Sequence, residues 1–152
     1  MATSVLPDLI DALVAAARTA LPSIAVYDGF GVTDDPGDFL MVGVEDADLE
    51  TAATSANSEQ QWAHATGTAR DEFGELTCVA LSWNGDGDPK VARDAAFAIT
   101  AAVENLLRTN PSLGIPELLW TGYGSTVELS QGQGKTGAEA LVVFKVAFRA
   151  RI

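Results

Sequence analysis

The glycine-rich stretch ending Gly134-Lys135-Thr136 has the residue types of a phosphate-binding loop. Such a loop needs a glycine five positions before its Gly-Lys pair, where this chain has Leu129. It also needs a following helix whose N-terminus holds the phosphate. The residues that follow alternate as a strand, so the glycines read as a turn. Asn84, Asp86 and Asp88 have the one-residue spacing of a calcium loop. The sixth position of that loop must be glycine and the twelfth glutamate; here they are Pro89 and Ala95. A turn followed by a helix cap accounts for the same residues. Asp34, Asp35 and Asp38 form one acidic set, and Asp46, Asp48 and Glu50 form another. Carboxylates in clusters bind metals or act as acid and base, but no partner stands at a definite spacing from either set. Solvated loop charge is the expectation for both.

His64 is the only histidine, so any Ser-His-Asp or Cys-His arrangement has to use it. No nucleophile-elbow order is present: Gly122-Tyr123-Gly124-Ser125-Thr126 lacks the Gly-x-Ser-x-Gly pattern. His64 follows Trp62 at the spacing of one strand face, which points to a structural or interface role. Cys78 stands in the alternating run Leu76-Thr77-Cys78-Val79-Ala80-Leu81 and reads as a small buried hydrophobe. No catalytic, metal or cofactor signature is complete, and the expectation is a protein that is not an enzyme.

The elements that position these residues begin with a helix near 5–21. Val5, Leu6, Leu9, Ile10, Leu13, Val14 and Ala17 recur on one face of it. Ser4 is the expected cap and Pro22 the stop. Strands are expected at 24–27 and 39–44, the second apolar on both faces. Residues 45–58 read as an acidic loop. A strand at 59–67 and another at 73–83 are expected to pair, with Asp71-Glu72 in the turn between them. Asp88 caps and Pro89 opens a second helix, with Val91, Ala95, Ala98, Ile99, Ala102, Val103 and Leu106 on its apolar face and Thr100 on the other. A closing hairpin has strands at 118–129 and 139–152, joined by residues 131–137. Along its last strand Val142, Phe144, Val146, Phe148, Ala150 and Ile152 face one way; Lys145, Arg149 and Arg151 face the other. The expected class is α+β: a largely antiparallel, mixed sheet with two amphipathic helices on one face and a hairpin extension, in one domain spanning 1–152.

Hydrophobic residues make up 47% of the 152 and charged residues 20%, a globular composition. Nine basic residues face twenty-one acidic ones, for a net charge of −12. No Lys/Arg cluster offers a phosphate-binding surface, and the negative field repels nucleic acid. The N-terminus lacks the basic region of a secretory signal, and no apolar run reaches the ~20 residues of a membrane span. A lone cysteine fits a reducing cytoplasm.

Several segments, in this order, resemble a family of tail terminator proteins from bacteriophages with long non-contractile tails, particularly those of actinobacteria. They are Leu9-Ile10-Asp11-Ala12-Leu13, Val26-Tyr27-Asp28-Gly29, Glu59-Gln60-Gln61-Trp62 and Arg70-Asp71-Glu72-Phe73. They continue with Leu81-Ser82-Trp83-Asn84-Gly85-Asp86, Val103-Glu104 and the final strand Val146-Ala147-Phe148-Arg149-Ala150-Arg151-Ile152. The resemblance implies an α/β domain made in the host cytoplasm that assembles into a hexameric ring in the virion. That ring caps the tail tube, ends its polymerisation and meets the head's connector proteins, and DNA passes through it. A head-closure or tail-completion protein is the nearest alternative. A small acidic ligand-binding protein or enzyme is the alternative from another class. A ring needs two different complementary patches on each subunit. Trp62, His64, Lys145, Arg149 and Arg151 are the candidates for one, and the two acidic sets for the other or for the lumen.

Overall fold

A computed structural model describes residues 2–31, 37–45 and 54–152. The elements run α1 (Leu6–Ala20), β1 (Ala25–Asp28), β2 (Phe39–Val42), β3 (Ala56–Trp62), β4 (Arg70–Asn84), α2 (Pro89–Thr109), β5 (Leu118–Gly134) and β6 (Gly137–Arg151). The six strands form one sheet in the order β1-β2-β4-β6-β5, with β3 also paired to β4. Among the described residues β1 and β2 pair parallel and every other pair is antiparallel. This is the expected mixed α+β arrangement.

β4 organises the sheet because its fifteen residues serve three partners. One edge pairs with β6 from Asp71 to Asn84. The other edge is divided: β3 takes Arg70 to Leu76 and β2 takes Cys78 to Leu81. Thr77 marks the division, its carbonyl accepting from the Gly43 and Val44 amides and its amide donating to the Ser55 carbonyl. Gly43 turns the chain there with φ +80, a conformation that suits glycine. Both backbone groups of Thr77 therefore keep a partner at the hand-over.

The period-2 pattern decides which face is covered. Gly74, Leu76, Cys78 and Ala80 of β4 register with Phe148, Val146, Phe144 and Val142 of β6. All of these except Gly74 share one buried cluster with Leu9, Leu13 and Ala17 of α1 and Ala92, Ala96, Ile99, Val103 and Leu107 of α2. Both helices thus lie on the same face. Cys78 is fully buried there, and that burial pushes its thiol up to about 12 against weaker opposing contributions from the Gly43 backbone and the Lys145 charge. Thiol chemistry runs through the thiolate. Iodoacetamide at pH 8 is therefore expected to leave Cys78 of the folded protein unmodified and to label it in 6 M guanidinium, as read by intact mass; rapid native labelling would contradict the burial.

Several boundaries differ from the expectation. Asp71 and Glu72 lie inside β4 and not in a turn, because Glu72 faces inward at a position the core period reserves for an apolar residue. β3 starts at Ala56, inside the expected loop, and stops at Trp62, leaving His64 in the turn at 63–69. His64 therefore does not share a strand face with Trp62. In the closing hairpin only Lys135 and Thr136 form the turn. The glycines around them belong to the strands, and β6 pairs with β4 along its whole length, so the hairpin is part of the sheet. The Gly137 position requires glycine: φ is +135, and a Cβ there would lie 2.2 Å from the Asn84 carbonyl oxygen. A strand, not a helix, follows Lys135, which removes the geometry a phosphate loop needs.

The face of α2 is rotated from the expected one. Ala92, Ala96, Ile99, Thr100, Val103 and Leu107 are buried, whereas Val91 and Ala98 are exposed. Alanines stand on both sides of this helix, so their positions do not distinguish the faces. Thr100 is tolerated inside because its hydroxyl donates to the Phe97 carbonyl, 2.9 Å away. The Asp88 cap is as expected, with its carboxylate accepting from the Lys90 and Val91 amides. At α1 the sequence expectation was incomplete. Ser4 Oγ accepts from the Leu6 amide at 3.1 Å, but the capping carboxylate comes from β4: Glu72 accepts from the Val5 amide at 2.8 Å.

Candidate assembly interface

On the face of the sheet that the helices leave open, Asp71 registers with Arg151, Phe73 with Arg149, Thr77 with Lys145 and Val79 with Val143. The two ends of this face differ. At one end Met41, Val44 and Val79 are buried, with Tyr27, Phe39, Leu141 and Val143 packed around them. At the other end a hollow of about 630 Å³ is lined by Gln61, Asp71, Phe73, Trp120, Phe148 and Arg149. A second hollow, of about 430 Å³, is lined by residues that include Glu45, Glu128, Glu139, Leu141 and Val143.

Lys145, Arg149 and Arg151 all lie on this open face, as their alternation requires, and each already has an intramolecular partner. Lys145 Nζ donates to Thr77 Oγ1 at 2.9 Å. Arg151 Nη2 lies 2.7 Å from Asp71 Oδ1, and Arg149 Nη2 lies 3.8 Å from Asp71 Oδ2. One carboxylate thus serves two guanidiniums. These half-exposed pairs contribute little to stability, roughly 0–1 kcal/mol each, and remain free to meet a partner. Trp62 is 68% exposed at the end of β3, with the Arg70 guanidinium 5.8 Å from its ring centre. That stacking holds the indole in place without burying it. His64 is exposed, and its carbonyl accepts from the Gly67 amide at 3.3 Å.

Of the acidic candidates, Asp38 is anchored. Its Oδ1 accepts from Ser82 Oγ at 2.8 Å and from the Trp83 amide at 3.2 Å, tying the start of β2 to the end of β4. Asp34, Asp35, Asp46, Asp48 and Glu50 lie outside the described residues. The sequence reading missed Glu72. It is fully buried and accepts from Ser4 Oγ, the Val5 amide and Ser58 Oγ at 2.5, 2.8 and 2.8 Å. Burial works to raise its carboxyl pKa, but the hydrogen bonds from Ser4, Val5, Ser58 and Gln60 together outweigh that and hold it below the ordinary value. The signal was its parity with Gly74, Leu76 and Cys78, combined with the lack of an acidic residue three positions after Ser4 to complete a capping box.

Neither hollow includes His64 or Cys78. Among the described residues no three His, Cys, Asp or Glu side chains converge to hold a metal ion. No described helix is long and apolar enough to cross a membrane. Aromatic residues and arginine around a hollow are the composition of a protein-binding hot spot.

No family model matches the sequence, and no curated protein matches it. The fold is similar to that of a chain in the solved structure of the virion of a native gene transfer agent particle. The TM-score is 0.65 at 12% sequence identity, and the alignment covers 99% of this chain and 100% of that one. At that identity the likeness is one of fold.

Proposed function

We propose that this protein is a structural subunit of a phage-type virion that works by self-association and docking, with no catalytic step. More specifically, we read it as a tail terminator. Six copies form a ring on the end of the tail tube, stop its polymerisation and offer the opposite surface to the head-closure and connector proteins. The observation that carries this reading is the end-to-end fold likeness to a chain from a virion particle. The sequence resemblance to tail terminators narrows the role. The net charge of −12 agrees with a ring through which DNA passes without sticking. The same charge opposes ring closure in weakly screening buffer, so salt above the ~0.1 M range favours self-association.

The test is to remove the chain from the particle that encodes it. Tails of uncontrolled length, or tails unable to join filled heads, are the expected result in electron micrographs. Tails of normal length beside heads that leak DNA favour a head-closure role. Particles unchanged in form and number would overturn the structural reading altogether.

A further inference from the structure

Within the four-stranded block β3-β4-β6-β5, β3 and β5 stand at opposite margins, and among the described residues no strand pairs the outer edge of either. A free strand edge is a template for another chain, and proteins that stay single blunt such edges with charged side chains, above all lysine, with proline or with bulges; here the charge is one glutamate on each strand, Glu59 and Glu128. β3 (Ala56–Trp62) and β5 (Leu118–Gly134) contain no lysine, arginine or proline. Irregular register near Leu118 and Trp120, and again between Tyr123 and Val127, interrupts β5 but leaves Val127 to Gly134 as a regular run.

The exposed apolar side chains follow these two strands. Nine large hydrophobic residues are exposed among the described residues, and five of them, Trp62, Leu119, Trp120, Val127 and Leu129, lie on β3 or β5. The two strands hold 7 and 17 residues of the chain's 152, so this share is far above an even spread. Strand direction also agrees. β3 to β4, β4 to β6 and β6 to β5 are each antiparallel, so β3 and β5 run in opposite senses. Rotation about an axis roughly along the strands brings the β5 edge of one copy beside the β3 edge of the next without reversing either. The resulting pair is antiparallel, the slightly more stable kind. An interface between two different edges is heterologous, the type that closes into a ring.

We infer that copies of this chain join edge to edge, the outer edge of β3 in one copy pairing antiparallel with the outer edge of β5 in the next, so that the sheet runs continuously through the assembly. This rests on the reading of the chain as a ring subunit and names the surfaces that ring would use. Two variants test it: Asn57→Lys/Trp62→Lys, which guards the β3 edge, and Val127→Lys/Leu129→Lys, which guards β5. The single change Leu129→Lys serves if the double change lowers the melting temperature. Val91→Lys, at an exposed position on α2, is the control.

In high salt, by mass photometry, wild type and Val91→Lys are expected to form multimers. Each guarded variant alone should show at least a ten-fold loss of them. A one-to-one mixture of the two guarded variants should stop at dimers, since only one competent interface remains. Guarded variants that still form wild-type multimers would overturn the edge pairing while leaving the ring reading in place. A wild-type chain that stays monomeric at every salt concentration and is absent from particles would overturn both.

Discussion

Glu72→Ala is expected to cost about 3 kcal/mol of folding stability, far more than an average polar substitution, because it strands a buried amide and two hydroxyl groups at once. The wild-type carboxylate lies at the start of α1, where the first helical amides have no partner of their own and the helix dipole favours negative charge. It is supplied from β4, so the loss also loosens the join between α1 and the sheet, and Ser58 loosens with it on β3. Urea denaturation followed by circular dichroism measures this. For a chain of this length the melting temperature should fall by about 6–12 °C. A loss below about 1 kcal/mol would show that water replaces the carboxylate without difficulty.

The same residue gives a pH dependence of definite sign. Its folded pKa lies below the ordinary 4.5, so its contribution is fully present above pH 4.5. That contribution is lost as the pH falls from 4.5 through the depressed folded value, where the carboxylate takes a proton. Glu72→Gln keeps the shape and removes the charge, and should flatten this part of the acid-unfolding curve. A curve that keeps its full acid slope in Glu72→Gln assigns the loss to other carboxylates.

Phe144→Ala is expected to cost about 4 kcal/mol, the range for deleting a large aromatic from a closed core. Phe144 is fully buried at the middle of β6, opposite Cys78 on β4 and Val127 on β5. Its ring stacks on Tyr123 with centroids 5.4 Å apart. Strands flank it on both sides, so the backbone cannot collapse far into the space left behind. Phe73→Ala is the matched control. Phe73 is 37% exposed on the open face, and its loss should cost less than about 1 kcal/mol. Equal losses at the two positions would mean that the open face is also core, and would remove it as an assembly surface.

Legibility in the sequence followed how many readings each residue allows. The alternation of β6 was plain because Phe and Val alternate with Lys and Arg, and a one-residue slip would place charge inside. The burial of Leu9, Leu13 and Ala17 on α1 was plain for the same reason at helical period. α2 was misread by part of a turn because Ala92, Ala95, Ala96 and Ala98 are the same residue on different faces; only packing chooses among them. β3 was hard to see because Asn57, Ser58, Glu59, Gln60 and Gln61 carry no apolar period. It exists because β4 holds it through a full antiparallel ladder. One close approach in that ladder requires glycine: a Cβ at Gly74 would lie 2.0 Å from the Asn57 carbonyl oxygen. Glu72 went unseen because acidic residues on a strand are ordinarily solvated, and its partners stand 14 and 68 residues away. The candidate site was legible as a set of polar residues on β6. The hollow was not, because Phe73, Trp120 and Gln61 meet Arg149 only once four strands are assembled.

The proposed role makes this chain one subunit of a ring at the head-proximal end of a phage-type tail. Cryo-electron microscopy of the intact particle tests it most directly. Six copies of this fold are expected between the tail tube and the head connector, with the β3 and β5 edges of adjacent copies in contact. The fold found only elsewhere in the particle, or no copy of it there at all, would contradict the claim.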